Sequence, residues 1–165
     1  MKYKRKWMSL FDCKDLGKAT KYVGCKLERK PHLLKLTQPV LIQSLSDEFP
    51  IEDLRAVETP AEPGKSLLNE EEDNGKPLNE KDQKEYQKGV GKLLFLSRWS
   101  RMEIQNAVRE LASFMRQATT RHMKAMLRVM KYCTTVPERG HTMNQEKVWN
   151  RRKGFKFRIN GRSDS

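Results

Sequence analysis

Gln87, Gly91 and Phe95 form the pattern in this chain whose residue types and spacing could support recognition chemistry. Residues at i, i+4 and i+8 of a helix share one face, so an amide, a bare backbone and an aromatic ring would meet the same partner. A glycine inside a helix costs about 1 kcal/mol relative to alanine, and this segment also contains Gly89. Two interpretations explain the glycines: close approach of a ligand, such as a duplex groove, or tight packing of another helix. The residues alone favour helix packing.

The element that must position this row is a helix that begins after Asn79 and ends near Trp99. Asn79 can accept a hydrogen bond from the first turn as the N-cap. A second row at i, i+4, i+7 and i+11 has the period of one buried stripe. This stripe is formed by Tyr86, Val90, Leu93 and Ser97.

Two more helices are predicted downstream. Ser100 followed by Glu103 has the spacing of a capping box, which predicts a helix from there to about Met115. Thr119 or Thr120 can cap a third helix, which ends at Thr134, Thr135 and Pro137. Its apolar side is formed by Met123, Met126, Leu127, Met130 and Cys133. Three consecutive helices with short joints predict a compact bundle.

Upstream of the bundle the sequence predicts a mixture of helix and strand. Residues 2–12 have the pattern of a basic helix, with Trp7, Met8 and Phe11 directed inward. Two short strands, Lys21–Glu28 and His32–Thr37, flank a turn at Arg29–Pro31 and form a hairpin. Thr37 is the predicted N-cap of a further helix that ends at Phe49. The predicted fold class is α+β and mainly α.

The linker and the tail differ in composition from these elements. Residues 52–81 are interrupted by prolines and glycines and contain the acidic run Glu70–Asp73, which is typical of a solvated loop. Residues 155–159 alternate as a strand does, and Asn160-Gly161 is a turn signal. A strand and turn without a following partner strand predict a truncated chain.

Charge is distributed unevenly along the 165 residues, whose total is +13. Residues 1–35 carry a net +8, residues 36–88 carry −7 and residues 89–165 carry +12. Two basic blocks that flank an acidic linker favour a polyanionic partner.

The cysteines and histidines limit the function classes. Three cysteines, far apart in the sequence, indicate reduced thiols and an intracellular protein, cytoplasmic or nuclear. The histidines share no metal-ligand spacing with them, so no zinc site is expected. No apolar run is long enough for a signal peptide or a membrane span, so no membrane partner is expected.

Five motifs in order resemble the C-terminal part of a copia-type retrotransposon reverse transcriptase. They are Asp12–Gly17, Tyr22–Arg29, Thr59–Pro60, Val90–Ser97 and Lys124–Tyr132. The resemblance covers roughly residues 8–140. It implies three parts: residues 1–37 as the end of the palm with a primer-grip-like hairpin, residues 38–136 as a thumb-like helical bundle with the acidic linker 52–81, and residues 137–165 as the connection and truncated start of an RNase H-like domain.

The same resemblance implies the roles of individual residues. The primer grip holds the terminal phosphate of the primer on a tight hairpin, which here is formed by Tyr22, Val23, Gly24, Cys25 and Lys26. The first thumb helix follows the minor groove of the nascent duplex through a glutamine, a glycine and an aromatic residue. Gln87, Gly91 and Phe95 match this row, with Lys88 and Lys92 toward the phosphates. Minor-groove acceptors are similar for every base pair, so an amide can bond to them without reading sequence.

The resemblance also implies what this stretch does not contain. Polymerases of the family hold two Mg²⁺ ions on palm carboxylates that lie upstream of the Asp15-Leu16-Gly17 segment, so no cofactor is expected here. The implied partners are a primer–template RNA/DNA or DNA duplex and the missing palm and RNase H portions of the polyprotein. An isolated chain is expected to catalyse nothing. The thumb leans on the palm in this family, so exposed apolar surface is expected on the hairpin and the N-terminal helix. The alternative is a non-enzymatic helical remnant that binds nucleic acid or protein.

Overall fold

The computed structural model describes residues 2–15, 17–31, 33–68 and 75–144. Within them it contains five α-helices, a short 3-10 helix and four strands, which confirms an α+β fold that is mainly α. In chain order the elements are α1 (Lys2–Leu10), β1 (Lys21–Tyr22), β2 (Cys25–Lys30), β3 (Leu33–Thr37), α2 (Pro39–Glu48), α3 (Glu80–Trp99), the 3-10 helix (Met102–Ile104), α4 (Gln105–Ser113), α5 (Thr120–Thr135) and β4 (His141–Asn144).

Three sequence predictions lie outside the described residues. They are the acidic run Glu70–Asp73, the strand at 155–159 and the turn at Asn160-Gly161.

The four strands form one antiparallel sheet in the order β1-β2-β3-β4. The prediction of a continuous strand over Lys21–Glu28 was wrong, because the chain reverses at Val23 and Gly24, where φ is +46° and +72°. This turn pairs Tyr22 directly with Cys25. β4 then pairs with β3 and extends the sheet beyond the predicted hairpin.

Helix starts were predicted correctly where the cap is local. The Asn79 side chain accepts from the backbone N–H of Asp82 at 2.9 Å, and Thr119 caps α5 in a capping box with His122. The prediction of Thr37 as a cap was wrong. Thr37 ends β3, and Gln38 occupies the N-cap of α2 without a side-chain bond.

The predicted capping box at Ser100 was also wrong. The Ser100 hydroxyl donates to Gln38 Oε1 at 2.8 Å, and Glu103 accepts from Arg101. The Ser100 side chain is thus used in a tertiary contact and the Glu103 side chain in a local ion pair, and α4 begins at Gln105 instead.

The core lies between α3 and the helices around it. The predicted stripe is confirmed, because Tyr86, Val90, Leu93 and Ser97 are all buried. Met126 and Met130 of α5 are fully buried against α3, where thioethers fill the space that glycine leaves.

The N-terminal helix was predicted correctly in position but not in orientation. Trp7, Met8 and Phe11 are 63%, 41% and 56% exposed, so the prediction that they point inward was wrong. The rings of Trp7 and Phe11 stack on each other, with centroids 5.1 Å apart, instead of packing on the bundle. The expected exposed apolar surface on α1 and the hairpin is therefore present, including Tyr22 and Val23.

Candidate nucleic-acid interface

The row of Gln87, Gly91 and Phe95 lies on the exposed face of α3. A Cβ built on Gly91 would meet no atom within 4 Å, so nothing in the described structure packs against this glycine. Gly89 differs, because a Cβ there would collide with Met126 and lie 2.7 Å from Met130 Cε. Helix packing thus explains Gly89, and Gly91 leaves an open strip of helix backbone on the exposed face.

The hairpin tip reaches this face of α3. A Cβ at Gly24 would lie 3.8 Å from the ring of Phe95, and the rings of Tyr22 and Trp99 meet edge to face with centroids 6.1 Å apart. The hairpin and the helix row, which are far apart in the sequence, form one continuous surface.

The five hairpin candidates do not share one environment. Tyr22 and Val23 are 57% and 47% exposed, and Gly24 forms the turn between them and Cys25. Lys26 is exposed and pairs with Glu28 at 2.9 Å. Cys25 is fully buried, and burial raises the pKa of its thiol. The backbone of Cys25 begins β2 directly after the turn, while its side chain belongs to the interior.

The two candidate lysines of α3 are held by a carboxylate. Lys88 and Lys92 both form ion pairs with Glu48 of α2, and Lys92 also donates to Ser44 Oγ at 2.9 Å. Hydrogen bonds from the two ammonium groups lower the pKa of the Glu48 carboxyl. Glu48 would therefore compete with any phosphate for both lysines.

The amide of Gln87 is also engaged. Its Nε2 donates to the carbonyl of Met115 at 2.8 Å, and Gln83 Nε2 donates to the same oxygen at 2.7 Å. Because Gln83 supplies a second donor, the Met115 carbonyl would stay bonded if Gln87 turned toward a ligand.

Sequence reasoning missed two residues of this surface. Trp99 extends the row by one more step of four residues beyond Phe95, a spacing that could have identified it. Glu48 gave no such signal, because it approaches α3 only through the tertiary packing of α2.

Two kinds of site are absent from the described parts of the chain. Their His, Cys, Asp and Glu side chains form no group of three that could hold a metal ion. None of the described helices is both long enough and apolar enough to cross a membrane.

Comparison with known proteins relates the chain to retrotransposons. It is 29% identical over 139 residues to a putative transposon Ty5-1 protein of Saccharomyces cerevisiae. The aligned region covers 80% of this chain and 42% of the yeast protein. It is 30% identical over 130 residues to a retrovirus-related Pol polyprotein from transposon RE1 of Arabidopsis thaliana. This second aligned region covers 79% of this chain and 8% of that polyprotein. No family model matches the chain, and no solved structure matches it significantly.

The chain is therefore distantly related to retrotransposon Pol polyproteins over most of its length. It spans less than half the length of the yeast relative and under a tenth of the Arabidopsis relative.

Proposed function

We propose that this chain is the primer-grip and thumb part of a copia-type reverse transcriptase and holds a primer–template duplex. The observation that carries the proposal is the meeting of the hairpin tip with the α3 row at Gly24 and Phe95. A polymerase must hold the primer end and the adjacent duplex at once, and one continuous surface suits that task. The distant relation to Pol polyproteins supports the same assignment.

The row would contact the minor groove in three ways. Gln87 would exchange its bond to Met115 for the N3 and O2 acceptors of the bases, which recur in every base pair. Gly91 would let the groove edge approach the helix backbone, since no side chain fills that space. Phe95, which is 38% exposed, would pack against the sugars.

The lysines and the hairpin would position the nucleic-acid backbone. Lys88 and Lys92 would leave Glu48 for the phosphates, which exchanges one anion for another. The cost is small for Lys88, whose side chain is 57% exposed, and larger for Lys92, whose side chain is 19% exposed. The exposed tip at Tyr22, Val23 and Gly24, with Lys26 beside it, would hold the primer terminus.

Duplex binding by the purified chain tests the proposal. Fluorescence anisotropy with a labelled primer–template should show binding that weakens steeply with salt, because phosphate contacts release counterions. Gln87→Ala and Phe95→Ala should each weaken binding about five- to tenfold, the range of one lost hydrogen bond or packing contact.

Gln43→Ala is the matched control, since Gln43 is an exposed amide on α2 that bonds only to Asp47 in the described structure. It should leave binding unchanged. Salt-insensitive binding, or equal effects of Gln87→Ala and Gln43→Ala with all variants folded, would refute the duplex interface.

The exposed apolar side chains in α1 and directly after it favour a protein partner in addition. Trp7 and Phe11 stack on each other and remain more than half exposed. This surface would dock against the palm portion of a longer polyprotein, and the same surface would serve the alternative, a remnant that binds protein. Loss of duplex binding only in the Gln87 and Phe95 variants, and not in Trp7→Ser, would separate the two surfaces.

A further inference from the structure

A cavity of about 630 Å³ lies between the irregular segment 54–67 and the helices α4 and α5. Among the described residues α3 contributes nothing to its lining, so it is separate from the duplex surface. Aliphatic side chains form part of the wall, including Leu54, Val57 and Val129. The volume falls within the range of about 300–1,000 Å³ that is common for small-molecule sites.

The lining is basic. Arg121, Lys124, Arg128 and Lys131 recur at i, i+3, i+7 and i+10 of α5, which places them along one side of the helix over about 15 Å. Segment 54–67 adds Arg55 and Lys65, and the described lining contains two carboxylates, Glu62 and Glu110.

Both carboxylates already have partners within the protein. Glu62 pairs with Lys65 at 2.8 Å, and Glu110 accepts from the backbone N–H of Leu67 at 2.9 Å. Segment 54–67 is thereby held against α4, which makes the cavity a built feature of the fold.

The cations are held mostly by neutral oxygens. Arg128 Nη2 donates to Thr59 Oγ1 at 3.0 Å, and Lys131 Nζ donates to the carbonyl of Glu52 at 3.0 Å. In the described part of the chain no carboxylate pairs with Arg55, Lys124, Arg128 or Lys131. The charge of Arg128 helps to lower the pKa of the nearby Glu62 carboxyl, so this carboxylate offsets part of the positive charge, and the charges of Arg55, Lys124 and Lys131 remain available to a ligand.

Arg128 gives the most specific indication that an anion binds in this cavity. Its Nε is buried and has no hydrogen-bond acceptor in the described structure. A buried charged donor without an acceptor costs free energy, and a rotation of the Arg128 side chain would bring this donor to an anionic oxygen in the cavity.

We propose that this cavity binds a phosphate chain of two or more linked phosphates. Arginine and lysine are the side chains that bind phosphate, and a row of cations about 15 Å long matches several charged groups better than one. No aromatic side chain is among the described lining residues, so a base would find no stacking platform. The phosphate chain, free or attached to a nucleoside, is thus the recognised part.

Calorimetric titration of the whole chain tests this site. Tripolyphosphate and adenosine triphosphate should bind with dissociation constants within about threefold of each other, and adenosine should not bind. Binding of adenosine triphosphate without binding of tripolyphosphate would overturn the proposal, since it would place recognition on the nucleoside.

Single substitutions locate the site. Lys124→Gln should weaken tripolyphosphate binding several-fold, and Arg128→Gln about tenfold, the effect of one charge-assisted hydrogen bond. Lys124 is exposed and makes no hydrogen bond in the described structure, so its loss leaves the fold intact. Lys81→Gln, an exposed charge on α3 outside the cavity, is the control and should bind normally. Equal effects of Lys81→Gln and Lys124→Gln would refute the site.

The acidic run Glu70–Asp73 has the charge opposite to that of the cavity lining. The titration is therefore repeated in a variant with Glu70 to Asp73 replaced by the corresponding amides. Binding in either background supports the proposal, and no binding in both overturns it. Gln87→Ala should bind tripolyphosphate normally, which separates a failure of this site from a failure of the duplex interface.

Discussion

Gly89 and Gly91 are two residues apart on α3 and serve different purposes. Gly89 is buried beneath the tips of Met126 and Met130, so its missing side chain permits close packing of α3 on α5. Gly91 has open space around it, so packing does not require it. A residue that weakens its own helix without a packing role is the one that most needs a functional reason.

Alanine substitution should separate the two glycines. Gly91→Ala should raise the free energy of unfolding by up to about 1 kcal/mol, because alanine is the better helix former and its Cβ meets nothing. Gly89→Ala should be less stable than Gly91→Ala by at least about 1 kcal/mol, because the methionine tips must shift to admit the Cβ. Urea unfolding of both variants measures the difference.

Gly91→Ala should raise the free energy of unfolding, whereas a larger side chain at this position should lower the affinity for the duplex. A larger side chain, as in Gly91→Leu, should preserve folding and weaken primer–template binding, because it fills the approach to the backbone. Two glycine variants of equal stability would contradict the packing role of Gly89, and undiminished binding by Gly91→Leu would contradict the groove contact.

At the scale of elements, Arg101 joins three helices. It lies after α3, is fully buried, and pairs with Glu103 before α4. Its Nη1 donates to the carbonyls of Cys133 and Val136 at 3.2 and 3.0 Å, at the C-terminal end of α5. Terminal carbonyls of a helix lack intrahelical partners, so the guanidinium satisfies groups that would otherwise be buried without donors.

Removal of this guanidinium should be costly. Arg101→Met should lower the free energy of unfolding by about 3 kcal/mol, because it leaves buried carbonyls and the Glu103 carboxylate without their donor. Arg98→Met, an exposed arginine in the last turn of α3, should lower it by less than about 1 kcal/mol. Chemical unfolding of the two variants makes the comparison, and similar losses would show that Arg101 does not join these elements.

At the scale of the whole molecule, folding buries ionisable groups in their neutral forms. Tyr86 is fully buried and donates to the carbonyl of Leu111 at 2.7 Å, and burial raises the pKa of its phenol. Burial also raises the pKa of the Cys133 thiol from 9.0 to about 12. Cys13, in contrast, is exposed.

Stability should therefore fall in alkaline solution. The unfolded thiol loses its proton near pH 9 while the folded thiol keeps it, so the contribution of Cys133 is complete below pH 9 and is lost as the pH rises toward 12. Unfolding free energies measured from pH 8 to 10 should decrease, and Cys133→Ala should show a shallower decrease.

Cys13→Ala is the control for this experiment and should keep the slope of the natural chain. The same slope in both cysteine variants would contradict the assignment to Cys133. Alkylation at neutral pH should label Cys13 rapidly and Cys133 only through unfolding, which tests the burial independently.

The sequence by itself determined the features that depend on neighbours along the chain. The period of α3 identified its buried stripe, and the caps at Asn79 and Thr119 located two helix starts, because a cap bonds only within the first turn. The residues alone favoured helix packing for both glycines, which is correct for Gly89 and wrong for Gly91.

Only the tertiary structure decided the features that join distant parts of the chain. Ser100 has the residue type of a cap, but its hydroxyl donates a hydrogen bond to Gln38 instead. No local sequence pattern indicates this tertiary bond. The burial of Cys25, the outward face of Trp7 and the meeting of Gly24 with Phe95 likewise depend on which surfaces pack together. Side-chain periodicity states which residues share a face, whereas the packing of the whole chain decides what that face meets.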